Sequence, residues 1–256
     1  WPDSMFTWVP EQGVLFSGDV FGCHYAMPDG KLFDDESDRD LAKAQKYYFD
    51  VIMSPFKPYM RAALDKISDY DINLICPSHG PVLRFTIQEI MQKYQHWSQA
   101  APKNEPPRVF IGYVSAYGNT KALAECIAQG LKEEGAFETI EKDVSEMKIG
   151  EVLEEIEKAD AIAIGSPTFN RDALAPVWNV LASIEVYPNA GKPAAAFGSY
   201  GWSGEAAGMV ADRLRGLQMK VMEENLRVRL IPSEEQKRQA VEYGKKFGAF
   251  IGEILS

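Results

Sequence analysis

The stretch RVFIGYVSAYGNTKALAECIAQG, residues 108–130, decides how the rest of the chain is read. It opens on an apolar, β-branched run over 108–116 and passes into a helical pattern over 119–134. A strand that is apolar on both faces expects cover on both sides, as in a parallel sheet flanked by helices. Between strand and helix lies SAYGNTK (115–121). The first turn of a helix offers unpaired N–H groups and the positive end of its dipole to an anion. Ser115, Asn119 and Thr120 add side-chain donors, and Gly118 lets the backbone come close. The same Ser, Asn and Thr also serve as ordinary helix caps, so this loop by itself leaves both readings open. It is neither G-x-G-x-x-G nor a Walker loop, which argues against dinucleotides and ATP.

Working outward toward the C-terminus, the pattern repeats. ETIEKDV (138–144) alternates like a strand, and a helix follows near 149–157. DAIAIGSPTF (160–169) is another apolar run, with a helix over about 173–184. KPAAAFGSYG (192–201), a helix over 204–217, a strand over 219–231 and a helix over 233–254 close the chain. Five strands alternating with five helices predict an α/β fold, a doubly wound five-stranded parallel sheet in the order 2-1-3-4-5. GSPTFNRDALAP (165–176) and GSYGWSGEAAG (198–208) should emerge at the same sheet edge as the first loop. Small residues, hydroxyls and the rings of Tyr117, Tyr200 and Trp202 there suit a flat amphipathic ring with a phosphate tail.

Working outward toward the N-terminus, WSQAAPKNEPPR (97–108) reads as a linker. Before it, Pro10–Gly13 divides two apolar segments into a hairpin. The acidic DDESDRD (34–40) reads as a solvated helix start, since carboxylates favour a helix N-terminus. Helical segments are expected around 40–53, 57–68 and 86–99. A terminal hairpin is marginal without further strands, so sequence is expected before Trp1. In LFSGDVFGCHYA (15–26) an apolar run ends on Asp19, which is either a turn former or a carboxylate presented for chemistry. INLICPSHG (72–80) ends similarly on His79, while His96 is expected at the surface.

A formal charge of −10 argues against nucleic-acid binding, and no apolar run approaches ~18 residues, so no membrane span is expected. Cys23, Cys76 and Cys126 are scattered and odd in number, which points to a reducing, cytoplasmic setting. Cys23 and Cys76 read as small buried thiols.

On these motifs, residues 108–256 resemble a flavodoxin domain, with SAYGNT, GSPTFN and GSYGWSG as its flavin mononucleotide (FMN) loops. The resemblance implies flavin contacts at Ser115, Tyr117, Gly118, Asn119, Thr120, Pro167, Thr168, Phe169, Asn170, Ser199, Tyr200, Gly201, Trp202 and Gly204. With WPDSMFTW, LFSGDVFGCHYA and CPSHGPVLR ahead of it, the whole chain resembles the flavodiiron proteins. That implies the C-terminal part of a metallo-β-lactamase-like αββα domain over 1–100, a linker over 101–107 and a flavodoxin-like domain over 108–256. It implies Asp19 and His79 as ligands of two non-haem iron ions, with His24 and Tyr25 beside the metals. The remaining ligands are expected upstream of Trp1, on the same polypeptide or on a separate chain.

The resemblance further implies reduction of dioxygen to water or of nitric oxide to nitrous oxide, small gases both. It implies a rubredoxin-like electron donor and a head-to-tail homodimer or higher homo-oligomer. The rival readings are an electron-transfer flavoprotein without a working metal site, a zinc-type hydrolase and a flavin-dependent quinone reductase.

Overall fold

The computed structural model describes residues 4–28, 30–37, 40–99 and 104–256. Trp1–Asp3 of the opening segment, two residues of the acidic loop (38–39) and residues 101–103 of the expected linker lie outside them. The chain divides into two units, Trp1–Ala101 and Pro102–Ser256.

In the first unit β1 (Thr7–Val9) and β2 (Val14–Gly18) form the expected antiparallel hairpin. Gly13 turns the chain at φ +65°, where a side chain would collide with Asn73. α1 (Leu41–Tyr48) runs through a π turn, Phe49–Met53, and a 3-10 turn into α2 (Lys57–Ile67). β3 (Leu74–Pro77) then pairs parallel with β2, giving the order β1-β2-β3, and α3 (Ile87–Trp97) follows. Leu15 and Ile75 from the sheet bury against Ile90 and the rings of Phe21, Phe49 and Tyr94. Phe49 and Tyr94 meet edge to face at 5.1 Å, a favourable ring geometry.

The acidic loop corrects an expectation. Asp34 is not a solvated helix start but a buried carboxylate, 5% exposed. It accepts from the backbone N–H groups of Arg84, Phe85 and Thr86 and from the Thr86 hydroxyl, at 2.7–3.3 Å. These donors belong to the turn that leads into α3 and to its N-cap residue, Thr86, so Asp34 fixes the entry to that helix from a distant part of the sequence. Burial alone would raise its carboxyl, but those donors hold it below the usual carboxylate value. Asp35 makes a two-point ion pair with Arg84, and Asp40 caps α1 by accepting from Ala42 N–H.

The second unit alternates as the sequence predicts: β4 (Arg108–Tyr113), α4 (Asn119–Glu134), β5 (Glu138–Asp143), α5 (Ile149–Lys158) and β6 (Ala161–Gly165). A short hairpin, β7 (Thr168–Phe169) with β8 (Asp172–Ala173), precedes α6 (Ala175–Ser183) and a helical turn α7 (Val186–Asn189). β9 (Pro193–Tyr200), α8 (Glu205–Gly216), β10 (Lys220–Val221), β11 (Leu226–Arg229) and α9 (Glu234–Leu255) complete it. The parallel order is β5-β4-β6-β9, with β10 and β11 both on the far side of β9, which is 2-1-3-4-5.

Successive strand residues face opposite sides, and each side has its own core. Val109 and Ile111 bury against Leu123 and Ile127 of α4 and Phe247 of α9. Phe110, Ile162 and Ile164 bury against α5, α6 and α8. α4 and α9 pack backbone to backbone: a Cβ on Gly130 would lie 2.0 Å from Val241 O, and one on Gly244 2.3 Å from Ile127 O.

Two strand expectations are corrected. The run 160–169 breaks after Gly165, because the chain must turn at Ser166–Pro167 to start the hairpin. The run 219–231 splits in two; where pairing lapses, the buried Tyr243 hydroxyl stands 3.1 and 3.0 Å from the carbonyls of Ala196 and Glu224, which share its one proton. No helix among the described residues is long and apolar enough to cross a membrane.

Candidate functional site

Three of the loops that leave β4, β6 and β9 at their carboxyl ends share one edge of the sheet, the position where such sheets bind ligands. In the first, Gly118 sits at φ +81° before the first residue of α4, with open space where a Cβ would be. That exposed, left-handed residue brings bare backbone to the helix N-terminus. Ser115 Oγ accepts from Lys121 N–H at 3.1 Å and so closes the loop. Tyr117 is 83% exposed above it.

The second loop is held from beneath. Ser166, fully buried, donates to Pro167 O and accepts from Leu174 N–H, at 2.8 and 2.9 Å. Asn170 and Arg171 both take positive φ, +51° and +62°, the two-residue turn that matches the twist of a tight hairpin. Asp172 fixes its base by accepting from Trp178 Nε1 at 2.8 Å. The hairpin brings Phe169 edge-on to Tyr117, ring centres 6.3 Å apart.

The third loop carries Tyr200, Gly201, Trp202 and Gly204. Trp202 is 97% exposed, and Gly204 leaves room for the Tyr200 ring, which a Cβ would meet at 2.9 Å. Arg229 Nε donates to Gly201 O, and Leu230 N–H to Tyr200 O. Hydroxyls join the loops: Thr120 Oγ1 and Ser199 Oγ lie 2.8 Å apart, and Thr168 Oγ1 accepts from Ala206 N–H. Ser203 and Arg171 beside Glu205 hold its carboxyl below the usual range, Arg171 at 2.9 Å.

Every loop residue expected in this group therefore belongs to this set of strand ends. Ser115, Tyr117, Gly118, Asn119, Phe169, Asn170, Gly201 and Trp202 are partly or fully open. Pro167, Thr120 and Ser199 are buried beneath. Large apolar rings standing bare beside an anion-ready helix end are what a ring-and-phosphate ligand would cover.

In the first unit Asp19 and His79 follow the ends of two adjacent parallel strands, β2 and β3. His79 Nε2 lies 3.5 Å from Asp19 Oδ1. Tight backbone places them. Gly18 (+60°) and the buried Phe21 (+68°) are both left-handed, and Cys23 N–H donates to His79 O at 3.1 Å. Strain of this kind at Phe21 persists where the surroundings over-determine it. His24 stands with its ring 5.8 Å from that of His79 and 4.7 Å from Tyr48. Tyr25 is half-buried against the core, and His96 is exposed as expected.

Sequence reasoning missed Tyr48, the last residue of α1. Its ring packs 6.2 Å from His79, and its phenol hydrogen-bonds the Asp19 carboxylate. Burial first, and then Asp19, push that phenol up to about 12, so it stays a donor. Burial likewise pushes the Cys23 thiol up to about 11 and raises Cys76, as for small buried thiols. Among the described residues no group of three or more His, Cys, Asp or Glu converges as a metal cage. Asp19 and His79 thus fit part of a metal site and not a whole one.

A flavodoxin family model matches residues 111–244, and a model described as ODP family beta lactamase matches residues 1–80. The type A flavoprotein fprA of Rhodobacter capsulatus is 40% identical over 259 aligned residues, covering all of this chain and 58% of that protein.

The chain belongs to the flavodiiron family.

Another flavodiiron relative, FprA2 of Clostridium acetobutylicum, is 39% identical and covers 98% of this chain and 63% of its own length. The chain spans about three-fifths of the length of these two relatives. Among solved structures, the flavodiiron protein of Giardia intestinalis superposes with a TM-score of 0.62 at 30% identity, over 99% of this chain and 62% of that one. Rubredoxin oxygen:oxidoreductase of Desulfovibrio gigas gives 0.63 at 27%, over 100% and 64%.

Proposed function

We propose that this chain is the flavin-bearing and partial metal-bearing portion of an oxidoreductase that reduces dioxygen to water, nitric oxide to nitrous oxide, or both. Residues 1–100 form the C-terminal part of the metal domain, 101–107 the linker and 108–256 the FMN domain. FMN would supply one- and two-electron transfer, and a di-iron centre the reduction of the gas. Ser115, Asn119 and Thr120, with the first N–H groups of α4, hold the phosphate. Tyr117, Phe169 and Trp202 cover the flavin ring and keep water from it. Asp19 and His79 supply a carboxylate and an imidazole, ligands suited to iron, and the Tyr48 hydroxyl orients the carboxylate. The remaining ligands would come from sequence upstream of Trp1 or from a separate chain. A rubredoxin-like protein would donate electrons, and a head-to-tail homodimer would bring each flavin to the partner's metal site. The setting would be cytoplasmic.

The observation that carries this reading is the meeting of three loops with exposed rings around an open helix N-terminus. Titrating the chain with FMN tests it. Asn119→Ala with Thr120→Ala should weaken FMN binding by about tenfold or more, the order expected for hydrogen bonds to a charged group. Unchanged affinity would contradict the phosphate assignment. A second reading, an electron-transfer flavoprotein, is favoured because no three His, Cys, Asp or Glu side chains among the described residues are arranged to hold a metal. Flavin without iron in the full-length protein would select it.

A further inference from the structure

We propose that Ser199 is a positioning residue for the phosphate, acting through Thr120 and not by touching the flavin; the proposal rests on the FMN reading above. Ser199 is 6% exposed near the end of β9, and Thr120 is 1% exposed in the first turn of α4. Both side chains are buried, Thr120 the more deeply, but Thr120 stands in the first turn of α4 at the open helix N-terminus, whereas Ser199 stands within strand β9. The Ser199 hydroxyl lies 2.8 Å from Thr120 Oγ1, bridging the third loop to the first.

Ser199 is a fixed anchor. Its backbone is paired with Val228 of β11. The preceding Gly198 has no slack, since a Cβ there would lie 2.2 Å from Ser166 O. Two hydroxyls in contact can share their protons in only one order at a time. With Ser199 donating to Thr120 Oγ1, the Thr120 proton is left for a phosphate oxygen. Such a chain, Ser199 to Thr120 to anion, is strengthened at each link by the charge at its end. With the Ser199 hydroxyl gone, Thr120 loses the partner that fixes both its rotamer and its proton.

Riboflavin shares the FMN ring and lacks its phosphate, so it separates the two roles. Flavin fluorescence quenching would give both affinities for the apoprotein. The wild type should prefer FMN. Ser199→Ala should lose about tenfold in FMN affinity while riboflavin affinity stays within about twofold. Ser199→Cys keeps the shape with a weak donor and should follow Ser199→Ala, which keeps the test alive if the alanine variant unfolds. Equal losses for both flavins would mean contact with the ring or general damage, and would overturn the role. So would a preference for FMN that neither variant reduces. A wild type without that preference would remove the phosphate loop itself, and the proposed function with it.

Discussion

Both candidate sites lie at the carboxyl ends of neighbouring parallel strands, yet they are built in opposite ways. In the second unit three loops each bring glycine, hydroxyls and rings, and the helix N-terminus supplies donors from the backbone. In the first unit two strands each deliver one side chain, set by left-handed residues and a carbonyl contact. A site made of backbone and loop composition is carried by one unit's own topology. A site made of ligating side chains needs groups from wherever the chain can present them, and here two converge.

The comparison can be broken where each unit's scaffold is tightest. Gly244→Ala forces a Cβ against Ile127 O across the α4–α9 seam. It should cost about 3 kcal/mol or more, because backbone rather than a movable side chain is in the way. A urea titration read by circular dichroism checks this; a loss under about 1 kcal/mol would mean the helices separate easily.

Asp34→Ala leaves the donors of the turn leading into α3 without their acceptor and should cost about 2–3 kcal/mol. The Asp34 carboxyl is held below its usual value, so its stabilisation is present above the unfolded value of 3.8 and is lost as pH falls through the folded one. The stability gap between wild type and Asp34→Asn should therefore narrow on acidification below that value. A gap independent of pH would show that charge plays no part.

A further effect is at Lys192, whose ammonium donates to Ile156 O and Glu157 O at the end of α5. Burial lowers it to about 8. Between about 8 and the unfolded value of 10.5 the unfolded chain holds the proton that the folded one has released, so stability should rise with pH across that window. In Lys192→Met the rise should vanish; an unchanged slope would assign it to other groups.

The second unit is legible in the sequence because its signals are local. Three of the five strand runs are single strands, each loop follows a strand, and the order 2-1-3-4-5 is set by connections between neighbours. Asp19 and His79 are legible for the same reason, as polar residues that end apolar runs. What escapes depends on distance. Asp34 looks like a solvated acid until the backbone of Arg84–Thr86 arrives beside it. Tyr48 looks like helix core, and only the fold brings it to Asp19 and His79. The β7–β8 hairpin has strands of two residues, too short for any periodicity, and Asn170 at its turn is the single available signal. Ser199 reads like its loop neighbours, because exposure within a strand end is not written in composition.

The central claim is that the two units hold separate parts of one redox enzyme, flavin in one and metal at Asp19 and His79 in the other. Counting flavin and iron per protomer in the full-length protein, wild type beside Asp19→Ala and His79→Ala, tests it most directly. One FMN and about two irons are expected in the wild type. Each variant should lose iron and keep its flavin. Full iron retained in both variants would contradict the claim.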